Sequence, residues 1–287
     1  MSRTLLLSCF ASVALACWAS AQPDLPSEAD GTAVESWSRV LEEAPGSTRP
    51  GLEFLIRHLP ERDAESLDPK ALLAEVELAV RTRAERPWGA TLPDDVFFND
   101  VLPYAFFTEP RHLWRQDLHA RFDALVRDCR TPGVAAQVLN REIFGRLKVR
   151  FSTKRERADQ SPRQTIESGT ASCTGLSILL AAACRSVGVP ARVVGTQWVD
   201  GSGNHSWVEV WDDGGWHFIG AAEPDGRGLD HAWFVNRAKS ARPGDAKHAI
   251  FATSYRSTGS HFPMAWSARD RSVPAIDVTK RYVADKD

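Results

Sequence analysis

The 287-residue chain has only 2 Met and 3 Tyr, and neither charge prevails: 35 Lys and Arg against 37 Asp and Glu leave a net charge of −2. That balance argues against nucleic acid or a membrane surface as a partner, because both draw on a clear excess of basic side chains. The one basic cluster, Lys154-Arg155-Glu156-Arg157, is short and mixed in sign, and reads as a solvated loop. There are no internal repeats and no low-complexity tracts. No His/Cys/carboxylate spacing typical of zinc occurs, and His205 with His217 is too little for a metal site, so no metal and no cofactor is expected.

What the chain does have is 43% hydrophobic residues and ten Trp, enough for one large or two small packed domains. Residues 1–21 read as a secretory signal: Arg3, an apolar run from Leu5 to Ala16, and the small-residue site Ala19-Ser20-Ala21. The run is short for a membrane span, so no integral membrane segment is expected after cleavage. A lipid anchor on Cys17 is the competing reading, and either way the mature protein is exported, periplasmic or secreted. Ordinary cleavage removes Cys9 and Cys17 and leaves Cys129, Cys173 and Cys184. An odd count outside the cytosol suggests a free thiol, with Cys129 and Cys184 either paired or simply buried as small hydrophobes.

Residues 22–160 read as a helical N-terminal region that follows an unstructured lead. Trp37, Val40 and Leu41 repeat at helical spacing, as do Leu52, Leu55 and Ile56, and then Leu72, Leu73, Val76 and Val80 behind Asp68-Pro69. Leu118, Phe122, Leu125, Val126 and Cys129 mark a helix, and Pro132 opens another through Val134, Val138, Leu139, Ile143, Phe144 and Leu147. The aromatic-rich passage from Trp88 to Glu109 is either a packing plug or a wall of a cleft.

Chemistry concentrates between Gln164 and Asp225. Small residues lead to Cys173, and Leu176, Leu179, Leu180 and Ala183 follow it at helical spacing, which places the thiol in the first turn of a buried helix. Unpaired N–H groups there, with an imidazolium beside them, stabilise a thiolate. The helix should end near Ser186, before Gly188 and Pro190. Strands follow over Ala191–Trp198, Ser206–Trp211 and Trp216–Ile219, with a turn at Asp212-Asp213-Gly214-Gly215. His205, Trp207, Glu209 and Trp211 share one strand face.

Gly-x-x-x-Cys opening a helix, then Gly188-Val189-Pro190-Ala191-Arg192, then His205-Ser206-Trp207-Val208-Glu209-Val210 before a turn and a Trp, resemble the core of the transglutaminase-like superfamily, here an exported bacterial member. The resemblance covers roughly Gln164 to Trp233. It implies a papain-like site with Cys173 as nucleophile, His205 as general base and an acid that orients the imidazole. The family's acid follows the Trp by a few residues, where this chain has Gly220. Glu223 and Asp225, flanking Pro224, are the candidates, and Glu209 reads as structural. Gln164 is a candidate oxyanion donor beside the Cys173 backbone N–H, or else a loop residue that satisfies backbone groups. Trp207 and Trp216 are expected to wall the cleft.

The reading is α+β: a helical N-terminal region packed on a transglutaminase-like core, residues 161–287 with its C-terminal extension, in which the Cys-bearing helix backs an antiparallel sheet. The resemblance implies a protein or peptide substrate and an acyl-thioester on Cys173, with peptidase or amidase and protein-glutamine acyltransferase both open. A non-catalytic binding module that kept the fold is the alternative.

Overall fold

The computed structural model describes residues 31–283. The signal-like segment, its cysteines and the first residues of the lead lie outside them. The helical stripes become α1 (Gly31–Glu43), α2 (Arg49–Arg57), α3 (Glu61–Ser66), α4 (Pro69–Glu85) and α5 (Asp94–Asp100). Asp68 caps α4 by accepting from the Lys70 N–H, with Pro69 at the first helical position, where its missing N–H costs nothing. Trp37, Leu52, Leu72, Phe97 and Leu102 close one core among these helices.

A second core is shared by α6 (Arg115–Val126), α7 (Pro132–Leu147) and the cysteine helix with one face of the main sheet. Between them in the chain come β1 (Arg150–Phe151), α8 (Pro162–Ser168) and β2 (Thr170–Ala171), then α9 (Cys173–Ser186), with β1 and β2 paired in parallel. The main sheet follows: β3 (Ala191–Gln197), β4 (Asn204–Asp212) and β5 (Gly215–Ile219), then α10 (Val235–Ala238), β6 (Phe251–Thr253), β7 (Ala275–Asp277) and α11 (Lys280–Val283). Its strand order is β5-β4-β3-β6-β7, antiparallel throughout. The β4–β5 hairpin turns at Asp213 and Gly214, both at positive φ, which suits a tight connection between twisted strands.

The sheet is buried on both faces. Val208 and Val210 belong to the core with α9, whereas Trp207, Phe218, Phe234 and Tyr282 form a third cluster on the far side. Glu209 is structural: it is 2% exposed, pairs with Arg192 at 2.7 Å, and accepts the Tyr282 hydroxyl at 2.7 Å. Trp207 donates its indole N–H to the same Tyr282 oxygen at 2.8 Å.

The N-terminal helices also complete the cysteine helix. Its last carbonyls, and those just beyond it, would be orphaned. Arg115 donates to Arg185 O at 2.7 Å, His119 to Ser186 O at 2.9 Å, Arg86 to Val187 O at 2.9 Å and Trp88 to Gly188 O at 2.8 Å. The aromatic passage is buried packing: Phe97, Tyr104, Phe106 and Phe107 are each 5% exposed or less.

Candidate active site

Cys173 is the first residue of α9, and Ser172 caps that helix by accepting from the Gly175 N–H while its hydroxyl donates to Ala158 O. The thiol meets the edge of β4, where the Ser206 N–H hydrogen-bonds it, and the hydroxyl and N–H of Thr174 do the same. His205 precedes Ser206 in β4, so the strand that touches the thiol also carries the imidazole. His205 is 7% exposed and lies among aromatic rings: Trp233 at 4.9 Å, Phe234 at 5.0 Å, Trp207 at 5.9 Å and Trp198 at 6.1 Å between centroids. Its Nε2 is buried and has no hydrogen-bond partner among the described residues.

The hairpin register bears on the two candidate acids. Val208 pairs with Ile219 in the last pair of the β4–β5 ladder, and continuing that register by one residue would set position 220 opposite Trp207, on the face that also carries His205. Residue 220 is glycine, and its missing side chain is replaced in space. An ideal Cβ on Gly220 would stand 2.6 Å from Glu223 Oε2 and 3.2 Å from Glu223 Cβ. The same Oε2 accepts the Trp233 indole N–H at 2.8 Å. Glu223 also lies near enough to Cys173 for its charge to raise the thiol's pKa. Asp225 instead faces Arg227 in a two-bond pair, at 3.0 and 2.7 Å, which lowers its pKa.

Burial dominates the resting electrostatics. It pushes the Cys173 thiol up despite the three donors, and it pushes His205 down to about 4, with the Arg237 charge adding to the effect. Both shifts favour neutral partners. The thiolate favoured by the helix terminus and a neighbouring imidazolium is opposed here by burial, which raises the thiol and lowers the imidazole. Burial likewise raises Glu223, and the Trp233 N–H opposes it.

Three other expectations meet a different geometry. Gln164 forms a capping box with Ser161 at the start of α8, its Oε1 accepting the Ser161 N–H at 3.1 Å, so its carboxamide serves the helix end. Trp207 is wholly buried and cannot wall a cleft. Trp216 pairs with Trp211, which is six residues along β4 from His205, about 20 Å away, and it packs on Arg192 at 3.8 Å. The exposed aromatic beside the site is Trp233, at 60%. Cys129 and Cys184 are free, and Cys184 is fully buried in α9.

His217 bonds Asp230 at 2.8 Å, and no group of metal-binding side chains occurs among the described residues. Nor is any helix among them long and apolar enough to cross a membrane.

Residues 120–221 match the Transglutaminase-like superfamily, and the chain carries a domain of that superfamily. The matched span includes Cys173, His205 and Gly220, while Glu223 and Trp233 lie just beyond it. Among solved structures, a candidate cysteine protease from Cytophaga hutchinsonii matches with a TM-score of 0.37 and 18% identity, over 49% of this chain and 46% of that one. No curated protein matches. At the level of the superfamily, a thiol enzyme is supported.

Proposed function

We propose that the chain is an exported thiol enzyme that attacks carboxamide or peptide bonds through an acyl-thioester on Cys173. The observation that carries this reading is the return of a carboxylate, from Glu223, to the position where Gly220 leaves none, on the face of the sheet that holds His205. In this reading His205, neutral at rest, takes the thiol proton as Sγ bonds to the carbonyl carbon. The oxyanion is met by the Cys173 backbone N–H at the helix terminus. The imidazolium then protonates the leaving amine, the C–N bond breaks, and the thioester remains until water or a second amine takes the acyl group and the thiol is restored. Glu223 holds the ring through Nε2, which is unpartnered while Trp233 keeps the carboxylate.

The substrate in this reading is a protein or peptide, in keeping with the superfamily, and export rests on the signal-like residues 1–21. Treatment with p-nitrophenyl acetate, followed by intact and peptide mass spectrometry, is expected to leave one acetyl group on Cys173. The label should be absent from the His205→Gln variant on the same timescale. A second reading is favoured by the unpartnered Nε2: a binding module that does no chemistry, which predicts no acetyl-thioester in either protein.

A further inference from the structure

The backbone that returns Glu223 to the sheet is a four-residue turn, Gly220-Ala221-Ala222-Glu223, closed by the Glu223 N–H on Gly220 O at 3.2 Å. Its third residue, Ala222, sits at φ +62°, a region that costs an L-residue with a Cβ roughly 1 kcal/mol or more. Such a conformation persists only where the surroundings hold it. One side chain does so. Asn140, in the middle of α7 and 2% exposed, donates from Nδ2 to Gly220 O at 2.9 Å, and its Oδ1 accepts the Ala222 N–H at 2.9 Å. The two ends of one carboxamide therefore hold the two successive peptide groups that lead into the strained residue.

Asn140 is out of place by any local measure. Asparagine is a poor helix former, and it stands here on an apolar stripe with Ala136, Ile143 and Phe144, all buried. A buried amide in that setting is retained for its partners, and both its partners are in the turn.

We propose that Asn140 is the positioning residue of the acid: by clamping the Gly220–Glu223 turn it folds the Glu223 carboxylate back into the volume that Gly220 vacates. This rests on Glu223 as the acid of the proposed site. Two features of the chain are then linked. Glycine at 220 leaves room for a carboxylate arriving from outside the strand, and Asn140 supplies the path along which it arrives. An acid placed directly at 220 would need no such clamp.

That difference gives the test. The rate of Cys173 acetylation by p-nitrophenyl acetate is measured across pH, with the melting temperature, for six proteins: wild type, Glu223→Gln, Asn140→Ala, Asn140→Asp, the relocated acid Gly220→Asp/Glu223→Ala, and that double variant with Asn140→Ala added. Asn140→Asp keeps the side chain's shape and the acceptor for Ala222, and loses the donor to Gly220 O, which covers the case in which alanine does not fold. Glu223→Gln is expected to slow acetylation about a hundredfold, the range general-base assistance supplies. Asn140→Ala should lose most of the same factor, with Asn140→Asp between it and wild type. The relocated acid should recover most of the wild-type rate, and there Asn140→Ala should lower the melting temperature as before without slowing acetylation.

If Glu223→Gln slows acetylation and neither Asn140 variant does, the clamp is overturned and Glu223 stands. If Asn140→Ala slows both backgrounds equally, it acts through the fold and the proposal fails. If the relocated acid stays as slow as Glu223→Gln, the equivalence of the two positions is overturned. If Glu223→Gln itself matches wild type, the reading of the acid falls first and the proposal with it.

Discussion

Glu223 Oε2 stands 2.6 Å from the point where a Cβ on Gly220 would be, so one residue's carboxylate fills the space left by the other's missing side chain. The register makes this consequential, because continuing the β4–β5 ladder one residue past Ile219 would set position 220 on the face of the sheet that carries His205. A side chain at 220 and the carboxylate of Glu223 cannot occupy that volume together.

Gly220→Ala should therefore expel the carboxylate while leaving the fold in place. The clashing oxygen is the end of a flexible side chain, so the stability change is expected to stay within about 1 kcal/mol. Acetylation of Cys173 should fall about tenfold or more, as for other losses of general-base support. Denaturant melts and stopped-flow release of nitrophenolate measure the two quantities on one sample.

Trp233 is 60% exposed, yet its indole N–H holds Glu223 and its ring lies against His205. Trp233→Phe keeps an aromatic ring there and removes the donor, which frees the carboxylate to meet Nε2. A carboxylate beside an imidazole favours the charged ring, so the His205 pKa should move up from about 4 toward its ordinary 6.5. NMR titration of the His205 ring protons follows this. A His205 pKa unchanged in the variant contradicts the role given to Trp233.

His205 also ties stability to acid. Its pKa in the folded chain lies near 4, below the 6.5 of an exposed imidazole. Between those values the unfolded chain binds the proton more readily, so stability is full above about pH 6.5 and declines as pH falls toward 4, by up to about 3 kcal/mol. His205→Gln should remove that contribution. The comparison isolates His205 from buried carboxylates such as Glu75 and Asp100, whose raised pKa values act in the opposite sense.

Glu209 makes no contact with the reaction in this account, and its removal should be felt in the fold. Glu209→Ala leaves Arg192 buried without its 2.7 Å partner and takes the acceptor from Tyr282. A loss of about 3–5 kcal/mol is expected, read from the denaturant midpoint. A loss below 1 kcal/mol would show that Arg192 finds another partner.

Helix positions were legible because each has one buried stripe: Leu118, Phe122 and Val126 on α6, or Leu139 and Ile143 on α7, announce the face that packs. The cysteine helix was legible from Leu176, Leu179, Leu180 and Ala183 at helical spacing, although it is buried on every face; the thiol falls in its first turn and its end at Ser186. Alternation along β4 also sorted its side chains into two faces correctly. It could not say that both faces would be covered, which is why Trp207 reads as a cleft wall and proves to be core. Trp216 was misplaced for a different reason: closeness in sequence to Gly220 says nothing of its distance from His205 across a hairpin. Asn140 belongs to a segment with no motif, and Trp233 is only the last residue of the stretch that the resemblance covers. The only trace of Asn140 is one amide on an apolar stripe, and its partners lie 80 and 82 residues away.

In the proposed mechanism Cys173 and His205 act as one nucleophile, and the pH dependence of Cys173 acetylation measures their coupling. A base must be deprotonated to work, so with His205 titrating near 4 the rate should rise through that pH and be flat near neutrality. Loss of the imidazole in His205→Gln should abolish that plateau. If acetylation instead rises only with the alkaline titration of an ordinary or buried thiol, and His205→Gln changes nothing, Cys173 is not an enzyme's nucleophile.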